Sequence, residues 1–226
     1  MEEKIIKAVL FDLDGTIIDT EKYYRLHWPK AFAKFGYELT DEQGLRMRSL
    51  GSPFVEEYLQ SIFGKKIETT EIKNYARSLV DESVNTNGLE LKYGVIECLK
   101  FLKTKNVKIA IVTATAIARA TKYVNDAKIE EYFDDIISAK NVPYGKPAPD
   151  VYLTACEKLN VKPEETIAVE DSPNGVMSAS RAGCNVVMVT DQTEAEEELK
   201  SHLFGSIRSL GEFEEFIVKE QIIFKK

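Results

Sequence analysis

The sequence predicts an α/β fold, a doubly wound parallel sheet with a helical domain inserted near its start. Five short runs rich in Ile, Val and Ala read as buried strands, and helical patterns separate the later ones. Roughly ninety residues without a strand signal divide the first run from the second, far more than a crossover needs.

The first run, residues 5–11, is apolar at nearly every position, as a strand covered on both faces must be. The long interval after it opens with Tyr24, Trp28, Ala31, Phe32 and Phe35, an apolar stripe at helical spacing. Further helical patterns follow over 53–63 and 68–85. Asn and Gly gather near 15–20 and 85–94, which suits linkers. These boundaries predict a helical domain over residues 20–88 and a core built from 1–19 and 89–226. Beyond the insertion, strands over 108–113, 135–138, 166–169 and 185–190 alternate with helices over 93–105, 116–127, 149–159 and 173–182. Pro149 and Pro173 suit a first helical turn, and Gly183 suits a helix stop.

Composition narrows the function classes. With 30 basic and 37 acidic residues the net charge is −7, and no polybasic run offsets it, so neither nucleic acid nor an anionic membrane is an expected partner. Cys98, Cys156 and Cys184 are odd in number and far apart, which speaks against a disulfide framework or a zinc site and for a reducing cytoplasm. The N-terminal residues do not read as a signal peptide, and no stretch approaches the length of a membrane helix. The expectation is a cytoplasmic protein, monomeric or weakly dimeric.

The predicted strand ends carry the chemistry. In an open parallel sheet the carboxyl ends of the strands form the ligand crevice. Asp12-Leu13-Asp14-Gly15-Thr16 follows the first strand, Thr113-Ala114-Thr115 ends the second, Gly145-Lys146-Pro147 precedes the Pro149 helix, and Glu170-Asp171-Ser172-Pro173 ends the fourth. Each has an ordinary explanation: an Asp-Gly turn, a Thr cap, a solvated lysine, an acidic cap. Four such coincidences on one sheet edge are jointly improbable, and phosphoryl chemistry uses all of them. Asp12 and Asp171 offer the oxygen ligands Mg²⁺ accepts. Lys146 can neutralise a transferring phosphoryl group and restrain Asp12, while Thr113 and the amide of Ala114 can donate to its oxygens. Asp12 would attack phosphorus. Asp14 would protonate the leaving oxygen and then take a proton from water, its pKa raised by a neighbouring carboxylate and a dry site closed by the insertion.

These four segments, in this order, resemble the motifs of the haloacid dehalogenase superfamily, and the resemblance runs to about Asp191. It implies a Rossmann-like core with a helical cap inserted after the first motif. It implies Asp12 as nucleophile and Mg²⁺ ligand, and Asp14 as acid/base and ligand through its carbonyl. Thr113 and Lys146 would bind phosphate, Asp171 would ligate the metal, and Glu170 would hold a metal-bound water. An aspartate at position 14 marks phosphomonoesterases and phosphomutases rather than dehalogenases. The surroundings look most like β-phosphoglucomutase and its phosphatase relatives, yet Tyr24, Phe54 and Ile117 stand where those mutases carry a histidine, an arginine and an asparagine. A phosphatase acting on a small phosphorylated metabolite is therefore expected, with a β-phosphoglucomutase-type mutase as the alternative. A phospho-accepting receiver fits less well, because its nucleophile is not on the first strand and the insertion would have no role. Gly15, Thr16, Ala114, Tyr24 and Arg48 are the expected substrate contacts. Tyr23, His27, Arg46 and Ser52 are further candidates, and Arg77 is a further source of positive charge. For the cap positions a helix-face or solvent-facing role is the simpler reading.

Overall fold

A computed structural model describes residues 4–190 and 197–225. Residues 1–3, 191–196 and 226, assigned above to the core, lie outside the described residues, as does the Asp191 limit of the resemblance. The main sheet has six parallel strands in the order β4-β3-β2-β5-β6-β7: β2 (Ala8–Phe11), β3 (Lys108–Thr113), β4 (Asp135–Ser138), β5 (Thr166–Glu170), β6 (Asn185–Val189) and β7 (Gly205–Ile207). The order steps both ways from β2, as a doubly wound sheet does.

The run 5–11 is not one strand. Ile5–Ile6 forms β1 and pairs in parallel with β8 (Ile223–Phe224) as a separate two-stranded sheet, and β2 begins after Lys7. The Lys7 amide donates to Glu165 O at 2.8 Å, and its ammonium meets Glu165 at 2.8 Å, so the charged residue sits at the break. Neither β7 nor β8 was foreseen, since two or three residues are too few to show a period.

Successive residues of each strand face opposite sides. Val9, Phe11, Ile109, Ile111, Ile167 and Val169 face one apolar cluster, covered by α5 (Val95–Lys105), α6 (Ile117–Asp126) and α10 (Phe213–Lys219). Ala8, Leu10, Ala110, Val112 and Ala168 face the other, beneath α7 (Asp150–Leu159) and α8 (Pro173–Ala182). Alanines at three of those positions let the helices on that side approach closely. The short α9 (Glu197–Lys200) closes its edge through buried Leu199.

Between β2 and β3, four helices surround an apolar cluster of their own: α1 (Glu21–Lys34), α2 (Asp41–Arg46), α3 (Phe54–Phe63) and α4 (Thr70–Asn87). The predicted stripe is only partly inward. Ala31 and Phe32 are buried, while Trp28 and Phe35 pack around them half-exposed, and Tyr24 turns toward the sheet side. Helix α2 was not foreseen, although Thr40 and Gln43 form a capping box there. No helix among the described residues is long and apolar enough to cross a membrane.

Candidate active site

Sheet register builds the site. Phe11 lies opposite Ile111 on one side and Val169 on the other, so the residues that follow these strands emerge on one edge. Asp12 leaves β2 there, its amide donating to Val169 O at 2.9 Å. Thr113 ends β3 and Glu170 ends β5 at the same level.

Lys146 is fully buried and reaches this edge from the loop before α7. Its ammonium donates to Asp12 Oδ1 and Glu170 Oε1, each at 2.6 Å, and to Val112 O at 3.0 Å. Burial alone would push the lysine pKa down, but the two carboxylates outweigh it and hold the pKa above the ordinary value. Burial raises Asp12; Lys146 opposes that rise and the Asp14 charge adds to it. Burial also pushes Glu170 up to about 8, against the pull of Lys146 and with the push of Asp12 and Asp171. Tyr152, from α7, donates to Glu170 Oε1.

Ligand oxygens of Asp12, Glu170 and Asp171 lie within 4.8 Å of one another, all three residues buried. Asp12 Oδ2 and Glu170 Oε2 have no hydrogen-bond partner despite burial. Such orphaned carboxylate oxygens are costly, and a hard cation bound by oxygen would satisfy them. The donor set therefore fits a divalent metal. Arg48 already brings positive charge to this cluster. It pairs with Asp171 Oδ2, donates to Asp171 O at 3.2 Å and lies 3.5 Å from Glu21. Burial pushes Glu21 well above the ordinary carboxylate range; Arg48 opposes this, and Asp171, Asp14 and Asp12 add to it.

Asp14 has different surroundings. Thr20 Oγ1 donates to its Oδ1 at 2.5 Å and Thr115 Oγ1 to its Oδ2 at 2.8 Å. Its carboxylate is held by hydroxyls rather than by a cation. Asp12 and Asp14 both line a cavity of about 400 Å³ between the sheet edge and the four helices, together with Thr113, Ala114, Tyr24 and Arg48. Thr113 Oγ1 accepts the Thr115 amide at 2.9 Å and shapes the loop that leads into α6.

Gly15 and Thr16 do not line this cavity. The Gly15 amide donates to Ile18 O at 2.8 Å in the turn after β2. At φ +87°, and with a Cβ that would fall 2.1 Å from Asp171 Oδ2, no other residue fits position 15. Thr16 is buried and donates to Asp171 Oδ1 at 3.4 Å. Tyr23, His27, Arg46 and Ser52 do not line the cavity either. Arg46 meets Glu42, Ser52 meets Glu56, His27 meets Ser83, and Tyr23 packs on the sheet-side cluster. Glu21, Lys73, Arg119, Lys140 and Tyr152 escaped the sequence reading, and Trp28 entered it only as part of the apolar stripe. Lys140 had a usable signal, because it stands two residues beyond β4, at another strand end.

The loop before α3 seats the four helices on this edge. Gly51 donates to Lys146 O at 2.8 Å, and Gly145 donates to Ser52 O at 3.0 Å. A Cβ on Gly51 would lie 2.6 Å from Gly145 Cα, so this backbone contact requires glycine. Asn174 of α8 holds the same loop, donating to Arg46 O at 3.1 Å and Arg48 O at 2.8 Å.

A sequence model described as Haloacid dehalogenase-like hydrolase matches residues 9–189, from β2 to the end of β6. The chain is 33% identical over 181 residues to Phosphorylated carbohydrates phosphatase of Thermotoga maritima, covering 79% of this chain and 82% of that one. It is 30% identical over 195 residues to Beta-phosphoglucomutase of Bacillus subtilis, covering 81% and 83%. Its fold matches the crystal structure of beta-phosphoglucomutase from Clostridium difficile with a TM-score of 0.80, covering 96% of each chain at 23% identity. With the match spanning the sheet edge that holds Asp12, Lys146 and Asp171, the chain belongs to the haloacid dehalogenase-like hydrolases.

Proposed function

We propose that the protein is a Mg²⁺-dependent phosphomonoester hydrolase that works through a phosphoryl group on Asp12, with residues 20–88 as its cap. The observation that carries this reading is the state of Asp12. One carboxylate oxygen is tethered to Lys146 and the other is buried without a partner, at the wall of a cavity shared with Asp14. A tethered, desolvated carboxylate is a pre-positioned nucleophile.

Asp12 attacks phosphorus in line and the ester P–O bond breaks, the leaving oxygen taking a proton from Asp14. Water then attacks the acyl phosphate and gives a proton back to Asp14, releasing inorganic phosphate and restoring Asp12. The hydroxyls of Thr20 and Thr115 fix the Asp14 carboxyl for both transfers. Lys146 keeps positive charge beside the Asp12 oxygen as the phosphoryl group arrives. Asp12, Glu170 and Asp171 would hold Mg²⁺, which supplies positive charge to the phosphoryl oxygens.

Two features support water rather than a sugar hydroxyl as acceptor. A relative at 33% identity is named a phosphatase. Of Tyr24, Phe54 and Ile117, only Tyr24 lines the cavity, so the other two positions bring no polar group to it. The substrate class is a small phosphorylated metabolite. Three free, buried cysteines accord with a cytoplasmic setting, and a monomer or weak dimer is proposed with it. The test is phosphate release from a panel of phosphorylated metabolites with Mg²⁺. β-Glucose 1-phosphate with catalytic glucose 1,6-bisphosphate is included. Free phosphate is expected throughout, whereas rapid glucose 6-phosphate with little phosphate would establish the mutase instead.

A further inference from the structure

Five cationic side chains line the cavity: Arg48, Lys73, Arg77, Arg119 and Lys140. Three have acidic partners. Arg48 pairs with Asp171, Lys73 with Glu56 at 2.6 Å, and Arg119 with Asp81. Arg77 and Lys140 have none within salt-bridge distance among the described residues; Arg77 donates only to Asn74 Oδ1, at 3.1 Å. They come from opposite walls. Arg77 stands on α4 in the cap, and Lys140 stands in the turn after β4 in the core.

These cations are close enough to disturb one another. Desolvation at the cavity wall lowers the Lys140 pKa, and the charges of Arg77 and Lys73 lower it further, with only Glu56 opposing. Folding has therefore gathered three like charges that repel around one carboxylate, Glu56, which Lys73 already engages at 2.6 Å. Such an arrangement is costly unless an anion joins it. Asp12, Asp14 and Glu21 line the same cavity but pair with neither Arg77 nor Lys140, and the charges that act on Lys140 are Arg77, Lys73 and Glu56, so the unpaired cations form a second charged locus.

We propose that Arg77 and Lys140 bind a second anionic group of the substrate, so that the preferred substrates are phosphomonoesters bearing a further phosphate or carboxylate. This assignment rests on the hydrolase reading above. It makes the second anion a bridge between cap and core, because each wall supplies one cation. The same cavity is also lined by apolar Trp28, Met47, Leu50 and Val55, which suit an uncharged connecting skeleton.

The test uses matched substrate pairs that differ in the second anion: phosphoglycolate against ethyl phosphate, and fructose 1,6-bisphosphate against fructose 1-phosphate. The first pair probes a carboxylate and the second a phosphate. The wild type is expected to favour the doubly anionic member of at least one pair about 10-fold or more in kcat/KM, mostly through KM. Arg77→Met and Lys140→Met should each bring that ratio down about 10-fold, toward parity, as losing a charge-assisted contact does. Arg77→Lys should retain most of it. Both side chains are at least partly solvent-exposed, and matched melting temperatures confirm that the variants fold. Equal use of both members in both pairs would overturn the assignment, as would a ratio unchanged in both Met variants. Phosphate release from none of the esters, in a folded protein with Mg²⁺, would overturn the underlying hydrolase reading.

Discussion

Asp12 and Asp14 stand two positions apart and differ in what holds them, a buried ammonium for the first and two threonine hydroxyls for the second. Lys146→Met should lower kcat/KM about 10²–10³-fold by removing positive charge beside the phosphoryl group. It should also lower the melting temperature, since Asp12 and Glu170 are left buried without it; unchanged kinetics would make Lys146 purely structural. Asp14→Asn removes the proton donor. The loss should reach about 10²–10⁴-fold with alkyl esters and be far smaller with p-nitrophenyl phosphate, whose leaving group needs no proton. Equal losses with both would remove Asp14 from that step. The residues at this edge were legible because polar groups stand directly after apolar runs, so sequence position alone puts them at strand ends. Glu21, Trp28, Arg77 and Arg119 reach the cavity from helices, where sequence gives a face but not what the face meets. Gly15 and Thr16, read as substrate contacts, do not line the cavity, for a related reason. The motif marks them as special, and only coordinates reveal that the turn and Asp171 use them.

Helices α1 and α4 meet through His27, whose Nε2 lies 2.7 Å from Ser83 Oγ while its Nδ1 is buried without a partner. Protonating that ring would create a buried donor with no acceptor. Accordingly the histidine pKa is held down, by desolvation first and by the Lys30 charge second, against Glu82. The unfolded chain then takes up the proton before the folded one. The contribution of His27 is complete above the ordinary histidine pKa of about 6.5 and is lost as pH falls through it toward the lower folded value. The melting temperature of the wild type, relative to His27→Asn, should decline from pH 7.5 to pH 5.5; a constant difference would show that folding leaves the pKa of the ring unchanged. The loop before α3 offers a second element-scale test. Gly51→Ala should raise KM and loosen the cap, because the added carbon meets the Gly145 backbone. Wild-type KM would show that the contact is dispensable. The long elements were readable by period, and α8 was bounded correctly by Pro173 and Gly183. The split at Lys7, the pairing of β1 with β8, and β7 depend on partners distant in sequence, which no local pattern records.

Across the whole molecule, the parallel sheet brings together residues from position 12 to position 171, and the inserted helices roof the edge where they meet. The acidic cluster with two orphaned oxygens predicts that chelation abolishes turnover reversibly and that Asp171→Asn sharply raises the Mg²⁺ requirement, as a metal titration of rate would read. Full activity in excess chelator would remove the metal from the account. The central claim is covalent: the phosphoryl group passes through Asp12. Acid-quenching the enzyme during turnover of a ³²P-labelled ester and mapping the label by peptide analysis tests it most directly. The prediction is a hydroxylamine-sensitive acyl phosphate on the peptide containing Asp12, absent in an inactive Asp12→Asn variant. Sustained phosphate release by Asp12→Asn, or label on a different residue, would contradict it.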